Sequence, residues 1–320
     1  MDQYLTLIES EIRKHRFGSQ PASLYEPIRY IMALGGKRLR PLLTMLSYSL
    51  YKENSASILR YAMAVEAFHN FTLMHDDIMD RAPLRRGKAT VHEKWDVNTA
   101  ILSGDVMLVK VYDLFLGLEQ KKLKEVLALL CECAAGVCEG QQWDMEFESK
   151  RKVTEDQYLS MIRLKTGVLL GFSLELGAVL ADAPVTDQKL LREVGINLGI
   201  GFQLKDDLLD VYADKRKFGK QVGGDIIANK RTFLLIKALQ KAKGHDRKEL
   251  QKWLAVKKFD KRKKVAAVSA IYDRLGIHSL TENKIQGYFK EGFAGIQQLS
   301  ESGKTQSLVR FVNELAKRQK

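Results

Sequence analysis

Two pentapeptides carry the chemistry of this 320-residue chain: Asp76-Asp77-Ile78-Met79-Asp80 and Asp206-Asp207-Leu208-Leu209-Asp210. Each reads DDxxD inside a largely apolar run with helical spacing. A helix turns about 100° per residue, so the first and last aspartates of each motif stand about 40° apart on one face. Like charges at that spacing repel and disfavour the helix unless a cation lies between them. The donors are oxygens alone, with no cysteine near either motif. That set suits Mg²⁺, which keeps part of its water shell and shares the rest with phosphates. One DDxxD reads equally well as an exposed acidic turn. Two of them, 130 residues apart and both in apolar surroundings, argue against that reading.

The same helical geometry extends the candidate site. His69 stands seven residues before Asp76 and eleven before Asp80, within about 20° of each, so all three share a stripe. Gln203 likewise precedes Asp210 by seven residues. The adjacent His75 points about 100° away from Asp76. Basic groups crowd the loops next to both motifs: Gly35-Gly36-Lys37-Arg38-Leu39-Arg40-Pro41 and Arg85-Arg86-Gly87 near the first, Gly219-Lys220, Asp225 and Lys230-Arg231-Thr232 after the second. Guanidinium forks and ammonium groups beside Mg²⁺ are what a diphosphate requires. Cations flanking both motifs suggest two separate phosphate-bearing ligands.

The elements that must hold these groups are helices. Apolar residues recur at three and four almost throughout, with no sustained alternation of the strand kind and no Asn-Gly hairpin signal. Only five prolines interrupt the chain. The pattern predicts roughly ten or more helices, broken at Gly35-Gly36, 82–90, 182–186, 219–224 and Gly244-His245. No linker, low-complexity tract or short-period repeat divides it, so the expectation is one all-α domain over residues 1–320. The N-terminal stretch MDQYLTLIESEIRKH mixes acids into its apolar positions and reads as an amphipathic helix, not a signal peptide. The longest apolar stretch, 167–181, includes Ser173 and Glu175 and falls short of the ~20 residues of a membrane span. Cys131, Cys133 and Cys138 show neither CxxC spacing nor a nearby histidine and read as small buried hydrophobes in a reducing compartment. The expected location is cytoplasmic.

Lys and Arg number 52 against 39 Asp and Glu, a formal net charge of +13. Such a balance invites a polyanion. Residues 241–264 alone hold eleven Lys/Arg and three Asp/Glu, read as a solvated helical hairpin. Nucleic-acid binding would want aromatics or a recognised module among those charges; Trp253 and Phe259 are the only aromatics there, so no nucleic-acid partner is expected.

With these residues in place, the sequence resembles the trans-isoprenyl diphosphate synthases, or polyprenyl synthetases, over nearly its whole length. The landmarks stand in family order: GGKRLRP at 35–41, HNFTLMHDDIMD at 69–80, RRG at 85–87, Gly104-Asp105, Gly140-Gln141 with Asp144, Lys165-Thr166, GFQLKDDLLD at 201–210 and GKQVGGDIIANKRT at 219–232. One departure is Asn229, where the family commonly has Gly. The resemblance implies an all-α, isoprenoid-synthase-type helical bundle around a central cavity, usually a homodimer. It implies that Lys37, Arg40, His69 and Arg86 hold the diphosphate of isopentenyl diphosphate, and that Arg85, Lys165, Lys220 and Lys230 grip the allylic diphosphate. Asp76, Asp80 and Asp206 would coordinate three Mg²⁺, supported by Asp77, Asp207 and Asp210, while Lys165, Thr166 and Gln203 would face the reacting carbons. Weak peripheral contact with an anionic membrane is the most that the basic segment implies.

By the same resemblance, bulky side chains before the first motif form the floor of the product tunnel. Phe71 is the fifth residue before Asp76, Thr72 the fourth and Phe68 the eighth, a combination resembling synthases of the twenty-carbon geranylgeranyl product, with farnesyl or longer products as alternatives. On the wheel Thr72 lies about 40° and Phe68 about 80° from Asp76, whereas Phe71 lies about 140° away. A terpene cyclase would also ionise an allylic diphosphate, but would not need Lys37, Arg40, His69 and Arg86. A non-catalytic synthase subunit should have lost motif residues, and none is missing.

Overall fold

The computed structural model describes residues 1–213 and 223–317; Lys220 lies outside them. The three-four periodicity becomes sixteen α-helices among the described residues, and the fold is all-α. The one sheet among these residues is a two-strand hairpin, β1 (Leu84–Arg85) with β2 (Lys88–Ala89). The chain forms two compact units. One comprises Met1–Ala134, Leu169–Gly195 and Ile296–Leu308; the other comprises Ala135–Val168, Ile196–Gly295 and Val309–Lys320.

The first unit is built on α4 (Leu59–Met79), which packs against α1 (Asp2–Lys14), α3 (Leu39–Tyr48) and α6 (Val97–Phe115). Every residue from Ala62 to Phe68 is buried, so α4 is enclosed on all sides and shows no amphipathic stripe. Burial of side chains such as Met63, Val65 and Phe68 stabilises the unit by roughly 1.5–3 kcal/mol each. A second enclosed helix, α9 (Val168–Leu180), is buried from Leu169 to Leu180. Its Gly177 lies so close to α3 that a Cβ there would stand 2.2 Å from the Thr44 carbonyl oxygen.

The first acidic motif ends α4. Asp80 is the C-cap, Arg81 takes a left-handed φ of 50°, and the Ala82 and Arg81 amides donate to the carbonyls of Asp77 (2.9 Å) and Ile78 (3.1 Å). That is the Schellman pattern with arginine where glycine is usual. The chain then turns through the hairpin, whose corner is Arg86 (φ 53°) and Gly87 (φ 74°). Two consecutive positive φ values make the type I′ corner that suits a two-residue hairpin.

In the second unit, α7 (Gln120–Ser149) arrives from the first. It is followed by α8 (Glu155–Ile162), opened by a reciprocal Thr154–Gln157 capping box, and a π turn, Arg163–Gly167. The second acidic motif lies near the end of α10 (Val185–Tyr212). Then come α11 (Gly224–Ala228), α12 (Phe233–Lys241), α13 (Gly244–Ala255), α14 (Lys261–Arg274), α15 (Ile277–Gln297) and α16 (Gln306–Ala316). Gly244 opens α13 instead of breaking the chain after it. Between Lys241 and Lys263 the cations are exposed as expected, but Lys264 is fully buried. The cysteines also differ from expectation: Cys133 is buried, whereas Cys131 and Cys138 are exposed, because Cys131 and Cys133 lie about 200° apart on α7. Among the described residues no helix is long and apolar enough to cross a membrane.

Candidate active site

In the first unit the loop at 35–38 and the hairpin meet. Gly36 has φ 133°, and a Cβ on it would stand 2.7 Å from the Arg86 guanidinium carbon; Arg86 also donates to the Gly35 carbonyl. Glycine is needed here for both the backbone angle and the close approach. Thr90 Oγ1 donates to the Ala82 carbonyl (2.7 Å) and Tyr30 to that of Ala89 (2.7 Å), which fixes the hairpin that carries Arg85 and Arg86.

Those cations gather around His69. The Arg40 Nη1 and His69 Nε2 lie 2.9 Å apart, and Arg40, a permanent donor, needs the lone pair of a neutral ring. Burial holds the His69 pKa well below its ordinary value, and Arg40, Arg85, Arg86 and Arg38 depress it further. A neutral imidazole among guanidinium groups keeps a donor for an incoming anion without losing the positive field.

Arg38 itself is turned inward. It is buried in a left-handed conformation, φ 47°, donating to Glu9 (2.7 Å), Glu66 (2.8 Å) and the Met32 carbonyl (2.7 Å). Its neighbour Lys37 is exposed, and Arg40 turns instead to His69.

The aspartates of the first motif divide by role. Both oxygens of buried Asp77 accept from Arg85, at 2.8 and 2.7 Å, while Arg85 Nη2 approaches Asp76 at 3.8 Å. Burial nonetheless pushes the Asp77 pKa up, against the pull of Arg85. Asp76 and Asp80 sit at the C-terminal end of α4, the negative end of its dipole, where carboxylates are least favoured. A donor set of this kind, placed where protein electrostatics oppose it, fits a bound cation.

In the second unit a cavity of about 260 Å³ is lined by Asp144, Asp206, Asp207, Asp210 and Asp225 together with Lys165, Lys230 and Arg231. Carboxylates outnumber cations there, and their mutual repulsion is visible. Burial, followed by Asp210, raises the Asp225 pKa to about 7. Burial and Asp225 hold Asp207 well above the carboxylate range. Divalent cations would relieve exactly this excess of negative oxygen; the residues present fit Mg²⁺.

Backbone placement accounts for the side chains. Gly140 of α7 lies so close to the π turn that a Cβ would stand 2.3 Å from the Lys165 amide nitrogen. The π turn presents Lys165 and Thr166 in succession; Lys165 Nζ donates to Asp144 (2.6 Å). Thr166 donates to Gln203 Oε1 (3.1 Å), whose Nε2 donates to Asp207 Oδ1 (3.1 Å); Tyr158 donates to the other Asp207 oxygen. This relay fixes which way the Gln203 amide faces. Asp210 Oδ2 accepts the Asp225 amide (3.0 Å), and the Lys230 amide donates to the Asp225 carbonyl (2.9 Å).

Each unit therefore assembles its own set of the predicted residues: Arg40, His69, Arg85 and Arg86 in the first, Lys165, Thr166, Gln203, Asp206, Asp207, Asp210 and Lys230 in the second. Lys37 is exposed beside the Gly35-Gly36 turn. Phe68 is buried, with its ring centroid 5.7 Å from that of Phe71. Phe71 stacks edge-on against His75 (4.9 Å), and a Cβ on Gly104 of α6 would stand 2.3 Å from the His75 ring. Phe71 thus leans toward α6. Thr72 donates to the His69 carbonyl (2.8 Å). Sequence reasoning did not find Tyr158, one of eleven tyrosines with no motif around it, or the inward role of Arg38. Burial and pairing alone identify them.

The model of the polyprenyl synthetase family matches residues 21–272. The geranylgeranyl diphosphate synthase of Methanosarcina mazei is 41% identical over 225 residues, covering 70% of this chain and 69% of the relative. The short chain isoprenyl diphosphate synthase of Methanothermobacter thermautotrophicus is 31% identical over 318 residues, 99% of this chain and 97% of the relative. A crystal structure of a geranylgeranyl pyrophosphate synthase superposes with a TM-score of 0.95 at 41% identity, covering 100% of this chain and 99% of that one.

Proposed function

This chain belongs to the polyprenyl synthetase family and is a prenyltransferase, and we propose that it condenses isopentenyl diphosphate with an allylic diphosphate to make geranylgeranyl diphosphate. The observation that carries this reading is that each acidic motif comes with its own cations: arginines around a neutral histidine beside the first, two lysines and an arginine in the carboxylate-lined cavity of the second. Two diphosphates are what such a duplicated arrangement serves. Likeness to geranylgeranyl diphosphate synthases supports the twenty-carbon product.

Lys37, Arg40, His69 and Arg86 take the diphosphate of isopentenyl diphosphate; Arg85, Lys165, Lys220 and Lys230 take that of the allylic primer. Asp76, Asp80 and Asp206 would hold magnesium, three ions by family resemblance, with Asp210 as support and Asp77 and Asp207 as orienting groups. When bound there, Mg²⁺ would supply positive charge that neutralises a departing diphosphate and favours ionisation of the allylic C–O bond. Lys165 and Lys230 bind and orient the leaving group. Thr166 and Gln203 offer oriented dipoles that stabilise an allylic cation without adding to it. Phe68, Phe71 and Thr72 limit chain growth. Leu102, Val109 and Leu116, exposed apolar side chains along and just past α6, seat a second copy of the chain, giving a homodimer, and the site of action is cytoplasmic.

The test is product chromatography after incubation with Mg²⁺, isopentenyl diphosphate and dimethylallyl, geranyl or farnesyl diphosphate. Extension to twenty carbons is expected. No extension of any primer overturns the reaction, and a farnesyl or longer product overturns the chain length alone. Asp76→Ala and Asp206→Ala should each lower turnover by about 10²-fold or more, and near-normal rates would remove the metal role.

A further inference from the structure

Asn229 departs from the family's usual glycine, and the structure supplies the other half of that departure. The residue caps α11 with φ 57° and ψ 30°, a left-handed conformation that asparagine tolerates better than most side chains. Its side chain is used at both ends. Nδ2 donates to the Leu254 carbonyl at 3.3 Å, and Oδ1 accepts from Lys264 Nζ at 2.6 Å. The same ammonium donates to the Ile227 carbonyl, in the last turn of α11, at 3.2 Å, and lies 4.2 Å from the centroid of the Phe259 ring.

Lys264 is 0% exposed. Lysine is almost never buried so completely unless its charge is satisfied, and burial lowers its pKa. Two carbonyl-type oxygens and an aromatic face, worth up to ~2 kcal/mol for a desolvated cation–π contact, are the partners shown. An ordinary apolar side chain would fill the same space without that desolvation cost. The group it clamps is short: α11 has five residues, far below the length at which a helix persists by itself.

That short helix is a bracket for the cavity. At its start, the Asp225 amide binds the Asp210 carboxylate (3.0 Å). There Gly223 (φ 85°) leaves no space for a Cβ, which would meet Val265 at 2.7 Å. At its end, the residue after Asn229 is Lys230, whose amide closes onto the Asp225 carbonyl and whose side chain lines the cavity. Neighbouring residues of α14, Lys264 and Val265, therefore touch both ends of α11.

We propose that the Lys264–Asn229 pair is a positioning latch that sets α11, and through it Lys230, for binding the allylic diphosphate. This rests on the proposed role of Lys230. A glycine at 229 would make the same left-handed turn but could not receive Lys264, so the latch belongs to chains that carry asparagine here.

The test compares Asn229→Gly, Lys264→Met, their double variant and Lys230→Ala by steady-state kinetics for each substrate, with thermal unfolding alongside. Asn229→Gly keeps the turn and so keeps the test open if Lys264→Met fails to fold. Each single variant should raise KM for the allylic primer about tenfold with kcat changed much less. The KM for isopentenyl diphosphate should stay at the wild-type value. The double variant should be no worse than the poorer single, the signature of two residues acting as one unit. A folded Asn229→Gly protein with wild-type allylic KM, beside a Lys230→Ala protein whose KM rises, overturns the latch alone. Equal rises in both KM values together with a lowered Tm overturn it too, since that is a general loss of structure. If Lys230→Ala leaves the allylic KM unchanged, the role of Lys230 falls and the latch with it.

Discussion

Asp77 and Asp207 hold the same place in two copies of one pattern, and the chain gives both to its own side chains. Arg85 takes both oxygens of Asp77, while Tyr158 and Gln203 share those of Asp207. On the helical wheel each lies about 100° from the first aspartate of its motif and about 60° from the last, and the family resemblance implies for both no more than support of the metal, the same as for Asp210. Their partners were not legible in the sequence either. Arg85 is eight residues from Asp77 and could be guessed, but Tyr158 reaches Asp207 across 49 positions, and only the folded chain makes that contact. Tyr158→Phe removes one of two donors from a buried carboxylate and lets the Gln203 amide swing. Leaving a buried acceptor without one of its donors costs about 1–3 kcal/mol, so turnover should fall by about five- to a hundredfold with the fold retained. Steady-state kinetics beside a thermal melt checks this; an unchanged kcat would mean that Asp207 does not hold Gln203 for catalysis.

At the scale of elements, the helices were legible because three-four periodicity and scarce prolines leave few alternatives. The devices that aim the site were less so. The corner at Arg86-Gly87 has no Asn-Gly signature, yet both residues take positive φ, because Arg86 is held over the Gly35-Gly36 backbone. The π turn Arg163–Gly167 adds one residue to a helical turn without changing residue types in any recognisable way. Its cause lies on α7, where Gly140 admits the Lys165 backbone at contact distance. Gly140→Ala pits two effects against each other. Alanine gains about 1 kcal/mol of helix propensity over glycine, whereas overpacking costs about 1–3 kcal/mol. Here the new methyl would meet backbone atoms at 2.3 and 2.8 Å, which cannot rotate away, so the steric cost wins. A lower Tm and at least about a tenfold loss of turnover are expected from the displaced Lys165 and Thr166; a variant as stable and active as the parent would show the π turn to be incidental.

At the scale of the whole molecule, the net charge of +13 pointed to polyanions without locating them, and most of the excess proved to be exposed surface around α13 and α14, with Lys264 turned to a structural use. The proposed pairing of two copies would use an apolar stripe on α6. Leu102, Val109 and Leu116 recur every seven residues along and just past α6, and they are 57, 63 and 61% exposed. Seven residues are nearly two helical turns, so the three share a stripe, although the sequence alone cannot tell such a stripe from one facing the core. A two-fold pairing would bury six of these side chains, and since each is only about three-fifths exposed the gain is roughly 5–11 kcal/mol, from 1.5–3 kcal/mol for a fully exposed one. Association itself costs about 4–15 kcal/mol, so the surplus is small and one charge in the stripe should remove it. Symmetry enters each substitution twice. Val109→Glu places two carboxylates near one another in the proposed interface and, because the position is exposed in the single chain, should leave the helical circular dichroism unchanged. Sedimentation at micromolar concentration should give a dimer for the parent chain and a monomer for Val109→Glu. A monomeric parent, or a variant still dimeric, would mean that the α6 stripe does not seat the second copy.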